Sequence, residues 1–146
     1  VRNRAVVTGV AASDVSGIRL IGSGGRVAAN YVDGPWPAGG ISILGANDAI
    51  VDNTVVNAAP LFSTGQASDG DGIFIGAFSG GITLRGNQSN GNAGDGIDVR
   101  ASGTSLESNQ AFGNGGWGIL AVPGVTDLGG NAGGGSAGDC QNVFCP

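Results

Sequence analysis

The chain repeats itself, and the repeat limits the folds open to it. Gly17-Ile18-Arg19-Leu20 returns as Gly40-Ile41-Ser42-Ile43, Gly72-Ile73-Phe74-Ile75, Gly96-Ile97-Asp98-Val99 and Gly118-Ile119-Leu120-Ala121. Each start is followed by an asparagine, in turn Asn30, Asn53, Asn87, Asn109 and Asn131, at isoleucine-to-asparagine spacings of 12, 12, 14, 12 and 12. Asn3 fits the same position one unit earlier. Successive isoleucines lie 23, 32, 24 and 22 residues apart, and self-similarity on that scale marks a solenoid or a propeller.

Within a unit the pattern has period two. Ile18 and Leu20, Ile41 and Ile43, Ile73 and Ile75, Ile97 and Val99 share one face, while Arg19, Ser42, Phe74 and Asp98 share the other. A second apolar position, Val27, Ile50, Leu84, Leu106 and Leu128, stands three residues before each asparagine. Gly, Asn, Asp and Ser turn the chain in between. With no helical periodicity and no Asn-Gly hairpin, the economical fold is all-β, a parallel β-helix solenoid of about five to six coils. Coils then stack at roughly 4.8 Å, the isoleucines fill the interior, and the asparagines form a ladder of side-chain amides. The division expected is one domain, 1–146: a partial first coil at 1–16, full coils at 17–131 with an inserted loop at 54–71, and a Gly-rich tail at 132–146. Val6, Val7 and Val10 resemble the second half of a coil, so the expectation is a chain that enters its solenoid in mid-coil, without a polar cap before it.

Glycine, 31 of 146 residues, would suggest low complexity. The periodic apolar residues and a mean hydropathy of +0.16 argue for a folded chain instead. The net charge is −5, and all six basic residues are arginine. That balance excludes nucleic acid as a partner, because phosphate binding needs a basic patch. No apolar run reaches membrane-spanning length, which excludes membrane insertion. Cys140 and Cys145 are the only cysteines in a chain without histidine. A local disulfide suits them better than zinc and favours an oxidising, extracellular or cell-surface location.

The Gly-Ile starts, the mid-coil apolar residue and the Asn ladder resemble the right-handed parallel β-helix repeats of the pectin-lyase-like superfamily, over Gly17 to about Asn131. The segment from Gly129 to Cys145 looks like the Gly-rich, cysteine-paired tail of secreted bacterial members. The resemblance implies right-handed coiling and frequent polysaccharide chemistry, carried by carboxylates with a basic residue.

Candidate sites are few. Asp69 and Asp71 precede one coil start and Asp95 holds the position equivalent to Asp71 in the next, so stacking offers these three as calcium ligands; the alternative is a set of solvated turn aspartates. Asp98 and Arg100 fall on one face of one strand, as a candidate base and its cationic neighbour or as a surface ion pair, with Tyr31 as a candidate acid elsewhere. Arg85 and Glu107 share a ladder position. Trp36, Phe74, Phe78 and Trp117 form either a platform for a sugar or a subunit contact, or loop packing. Asn87 begins a glycosylation sequon but belongs to the inward ladder. Three functions follow. One is an extracellular structural module stacking head to tail on itself; another is a polysaccharide-binding or polysaccharide-cleaving domain; the third is a piece of a larger surface protein. Missing catalytic signatures and an open strand edge place the first ahead.

Overall fold

The computed structural model describes residues 4–6, 15–60 and 70–146, the first segment by its backbone alone. Asn3, Val7, Val10, Leu61, Phe62 and Asp69 lie outside the described residues. Every paired strand among those described is parallel to its neighbour, and the strands build three sheets. Numbered in chain order, sheet 1 collects the Gly-Ile starts: β2 (Ile18–Leu20), β5 (Ile41–Ile43), β8 (Ile73–Ile75), β11 (Ile97–Val99), β14 (Trp117–Ala121) and β17 (Gly138–Gln141). Sheet 2 holds the segments before the asparagines: β3 (Arg26–Ala28), β6 (Ala49–Val51), β9 (Thr83–Arg85), β12 (Ser105–Glu107) and β15 (Thr126–Asp127). Sheet 3 holds the segments after them: β1 (Arg4–Val6), β4 (Tyr31–Asp33), β7 (Thr54–Val56), β10 (Gln88–Asn90), β13 (Gln110–Asn114) and β16 (Ala132–Gly135). The chain visits sheets 1, 2 and 3 in turn, so each strand pairs with the strand one coil further on.

The period-two reading places the core. Ile41, Ile73, Ile97 and Ile119 stand in register and are each 0% exposed. Ile50, Leu84 and Leu106 from sheet 2, and Val32, Val55, Ser89 and Ala111 from sheet 3, close the interior at the same exposure. Each buried aliphatic side chain contributes about 1.5–3 kcal/mol. The interior narrows along the stack, and the sheet 3 rung after Ala111 is Gly133. The glycine of each Gly-Ile start has a different cause, the close approach of the next coil's backbone at every rung, wide or narrow. A Cβ on Gly96 would lie 2.6 Å from the carbonyl oxygen of Gly118 and 2.7 Å from Cβ of Ala111, so no larger residue fits between adjacent coils.

The corner between sheets 2 and 3 is built from two residues. The first is left-handed in every coil: Ala29 (φ 55°), Asp52 (φ 54°), Gly86 (φ 64°), Ser108 (φ 54°) and Gly130 (φ 70°). The second is the ladder asparagine. Oδ1 of Asn109 accepts both the backbone N–H (3.1 Å) and the side-chain Nδ2 (3.0 Å) of Asn87, while its own Nδ2 donates to Leu84 O and to Asn131 Oδ1, each at 3.0 Å. The same pattern runs from Asn30 through Asn53 to Asn87. Only a side chain with two donors and a doubly accepting oxygen satisfies every group at this bend, and those bonds hold non-glycine residues in a conformation costing about 1–2 kcal/mol each.

Three details depart from the sequence reading. Residues 54–56, inside the expected inserted loop, form β7, because Thr54–Val56 pairs in register with both neighbouring coils. The Gly-rich segment after Asn131 supplies β16 and β17, which continue sheets 3 and 1. Leu128 is 57% exposed rather than inward; Asp127 pairs with Leu106 one position out of step, and its carboxylate binds the Asn131 amide (2.8 Å) and the Phe144 N–H (2.8 Å). Cys140 and Cys145 form a disulfide. The loop it closes packs Val143, 9% exposed, against the end of the core.

Candidate functional site

Two turns leading from sheet 3 to sheet 1 bring carboxylates together over β11. Asp71 stands before β8 and Asp95 before β11, one coil apart, as the sequence spacing predicts. Oδ1 of Asp71 accepts the N–H of Asp95 at 2.7 Å, and Oδ1 of Asp95 accepts the N–H of Trp117 at 2.6 Å. The third member is Asp98, in the middle of β11. Each of the three offers one oxygen within 4.8 Å of the others. Arg100 donates its Nε–H to both oxygens of Asp98, each 2.7 Å away.

This cluster is not a solvated face. Asp98 is 0% and Asp71 3% exposed, and Oδ2 of Asp71 is buried without a hydrogen-bond partner. The side of sheet 1 away from the core is covered by the incoming turns; a Cβ on Gly39 would touch Ser42 Oγ (3.2 Å) and Phe74 Cβ (3.7 Å). Burial pushes the Asp71 carboxyl up to about 8, and the nearby Asp98 charge pushes it further in the same direction. Burial also lifts Asp98, to about 6, against the pull of Arg100. Asp95, half-buried, is raised by the same cause. At neutral pH Asp71 therefore carries a proton beside the Asp98 carboxylate, which Arg100 matches. The surface ion pair expected from Asp98 and Arg100 is a pair with its acid fully buried.

The other candidates are scattered. Trp36 is 7% exposed and belongs to the core, near Gly17. Trp117 is half-buried against Gly138 at the far end of the stack. Phe74 is half-buried, and Phe78 projects fully into solvent from the turn after β8. Loop packing accounts for Trp36, and the two tryptophans do not share a platform. Tyr31 lies on sheet 3, where its hydroxyl donates to Asp33 Oδ2 at 3.4 Å. Arg85 and Glu107 stand opposite each other in register.

The sequence reading missed a second amide ladder. Oδ1 of Asn114 accepts the N–H and Nδ2 of Asn92, each at 3.0 Å, and Oδ1 of Asn92 accepts the N–H of Ala58 at 3.0 Å. Its signal was an asparagine five residues after Asn87 and again after Asn109.

Three parallel sheets wound about a core of stacked rungs define a parallel β-solenoid. The chain belongs to the right-handed β-helix family: the sequence model for a right handed beta helix region matches residues 2–131. That membership gives the coil its hand and agrees with the pectin-lyase-like resemblance. No curated protein and no solved structure matches the chain. The disulfide suits an oxidising environment, and no helix among the described residues is long and apolar enough to cross a membrane.

Proposed function

We propose that the protein is an extracellular structural β-helix module whose coil stack is extended by a further coil at its β2–β3 end, building a filament or larger surface assembly. One observation carries this reading. Ile18 and Leu20, the first described rung of sheet 1, are only half-buried, whereas their successors Ile41, Ile43, Ile73 and Ile75 are each 0% exposed. A coil laid on β2 would bury that rung as every later coil buries the one before it. The test is light scattering after size-exclusion chromatography, with electron microscopy, on the purified chain and on Leu20→Arg. Concentration-dependent oligomers or fibres are expected, lost in the variant while its circular dichroism is unchanged. A chain that stays monomeric at high concentration overturns the reading.

A second reading, a polysaccharide-binding or polysaccharide-cleaving domain, is favoured by the cluster over β11. A protonated Asp71 beside the Asp98 carboxylate and an arginine is the kind of pairing that acid–base cleavage of a sugar polymer uses. The near-complete burial of Asp71 and Asp98 places this reading second. Calcium fits the oxygen donors of Asp71, Asp95 and Asp98 and would supply positive charge there. Release of unsaturated sugars or reducing ends from pectin or alginate, abolished by Asp98→Asn, would promote this reading. A thermal midpoint indifferent to both calcium and chelator would remove the metal from it.

A further inference from the structure

The turns leading from sheet 1 to sheet 2 form a flank without charge. Residues 21–25, 44–47, 76–82, 101–104 and 122–125, which make these turns in successive coils, include no acidic or basic side chain. The strands beyond them do carry charge, among them Arg26, Arg85, Glu107 and Asp127 on sheet 2 and Asp33 on sheet 3. Arg100, just before the fourth turn, is folded back onto Asp98. The first three turns show apolar side chains to solvent: Ile21 is 69% and Leu44 39% exposed, and Phe78 projects fully. Ile21, Leu44 and Gly76 follow one another in register, one step beyond Leu20, Ile43 and Ile75. Beside the Phe78 ring lies a hollow of about 240 Å³, lined also by Leu44, Gly76, Ala77 and Ser79. Leu44 packs down on Gly76, where a Cβ would come within 2.7 Å of its Cδ2.

We infer that this flank pairs two copies of the chain side by side, the Phe78 ring of each entering the hollow between Leu44 and Phe78 of the other. Projection and hollow belong to one patch, so a two-fold axis satisfies both at once. Charge selects the same partner and the same face. Each copy carries a net charge of −5, so two copies repel over most of their surface and meet at least cost where charges are missing. A charge-depleted centre with an exposed aromatic side chain is also the composition of an interface core. The contact closes at two copies and uses neither end of the stack, so it stands apart from the stacking reading.

The test uses Leu20→Arg, which blocks stacking and leaves the flank intact. Sedimentation equilibrium of that variant should show a dimer. Adding Phe78→Arg or Leu44→Asp should raise its dissociation constant at least about tenfold, with circular dichroism unchanged because both side chains are at the surface. A 1:1 mixture of the Phe78→Arg and Leu44→Asp chains should recover the dimer, because the new arginine of one copy meets the new aspartate of the other while the second contact stays native. A Leu20→Arg chain that is monomeric at every concentration overturns the pairing. So does a dimer that survives both substitutions, or a mixture that associates no better than its components. None of these outcomes bears on stacking, which the fibres of the wild-type chain report.

Discussion

Asp71 and Asp95 occupy equivalent turns in successive coils, and the backbone N–H of Asp95 binds Oδ1 of Asp71 at 2.7 Å. That bond ties the two coils together at the site where three carboxylates crowd, so the tie and the crowding respond to pH in opposite ways. The folded-state values of Asp71 and Asp98, about 8 and about 6, both stand above the ordinary 3.8. A raised carboxyl binds its proton more tightly when folded. Its stabilisation is therefore complete below the unfolded value and is lost as pH rises through the folded one. The thermal midpoint should fall between about pH 4 and pH 8, at up to about 1.4 kcal/mol per pH unit for each group still protonated only in the fold. Asp71→Asn keeps the acceptor for Asp95 and removes the titration. It should flatten the slope and raise the midpoint at pH 8, with little change at pH 4; an unchanged slope would place the titration elsewhere.

The asparagine ladder makes a sharper demand. Asn109→Ala removes the acceptor for the Asn87 N–H and Nδ2 and the donors to Leu84 O and Asn131 Oδ1, all in a corner where Asn87 and Asn109 are 0% exposed. Each orphaned buried group costs about 1–3 kcal/mol. The expected loss is on the order of 3–5 kcal/mol, measured by denaturant unfolding. Asn109→Asp should be nearly as harmful, since a carboxylate cannot donate to Leu84 O. A loss under about 1 kcal/mol would mean that water enters the corner and replaces the amide.

How much of this could be read from the sequence depended on whether a residue's role repeats. Ile18 and its successors, Asn30 and its successors, and the glycine before each isoleucine recur with one physical task each, so spacing alone locates coil, core and corner. Asp98 has no counterpart in other coils. Its burial depends on how the turns before β8 and β11 fold over sheet 1, which a period-two pattern cannot express, and so it looked like a solvated face. Trp36 stayed open between a platform and loop packing for the same reason: nothing in the spacing says whether a turn carrying a tryptophan between two prolines folds inward, as this one does. Leu128 obeyed the spacing and broke the register, because Asp127 takes the bonds to Asn131 and Phe144 that hold the corner there.

The glycine of the Gly-Ile start is predicted to be as unforgiving as the asparagine. In Gly96→Ala the new methyl meets the Gly118 carbonyl at 2.6 Å, a backbone atom that cannot move without prising β11 from β14. Overpacking of this kind destabilises by about 1–3 kcal/mol or more. Because a solenoid's coils touch only their neighbours, hydrogen exchange should speed up first in β11 and β14 and leave β5 and β6 protected. Uniform acceleration across the stack would show that the coils unfold as one unit.

Reduction of the disulfide should act locally for the same reason. Cys140 belongs to β17 and packs against the core, and its bond to Cys145 holds Val143 over the last coil. Two further contacts fix the segment: Asn142 Nδ2 to Ala121 O at 2.7 Å and Phe144 N–H to Asp127 Oδ2 at 2.8 Å. Opening a loop this short releases about 2 kcal/mol of chain-entropy constraint, enough to free the segment but not to melt coils held by the ladder from Asn30 to Asn131. Reduced protein, or Cys140→Ala/Cys145→Ala, should keep its far-ultraviolet circular dichroism and lose exchange protection in β17 and in the Asp127 corner alone. If reduction instead collapses the whole stack in one transition, the disulfide is a keystone for every coil, and the ladder does not carry the fold by itself.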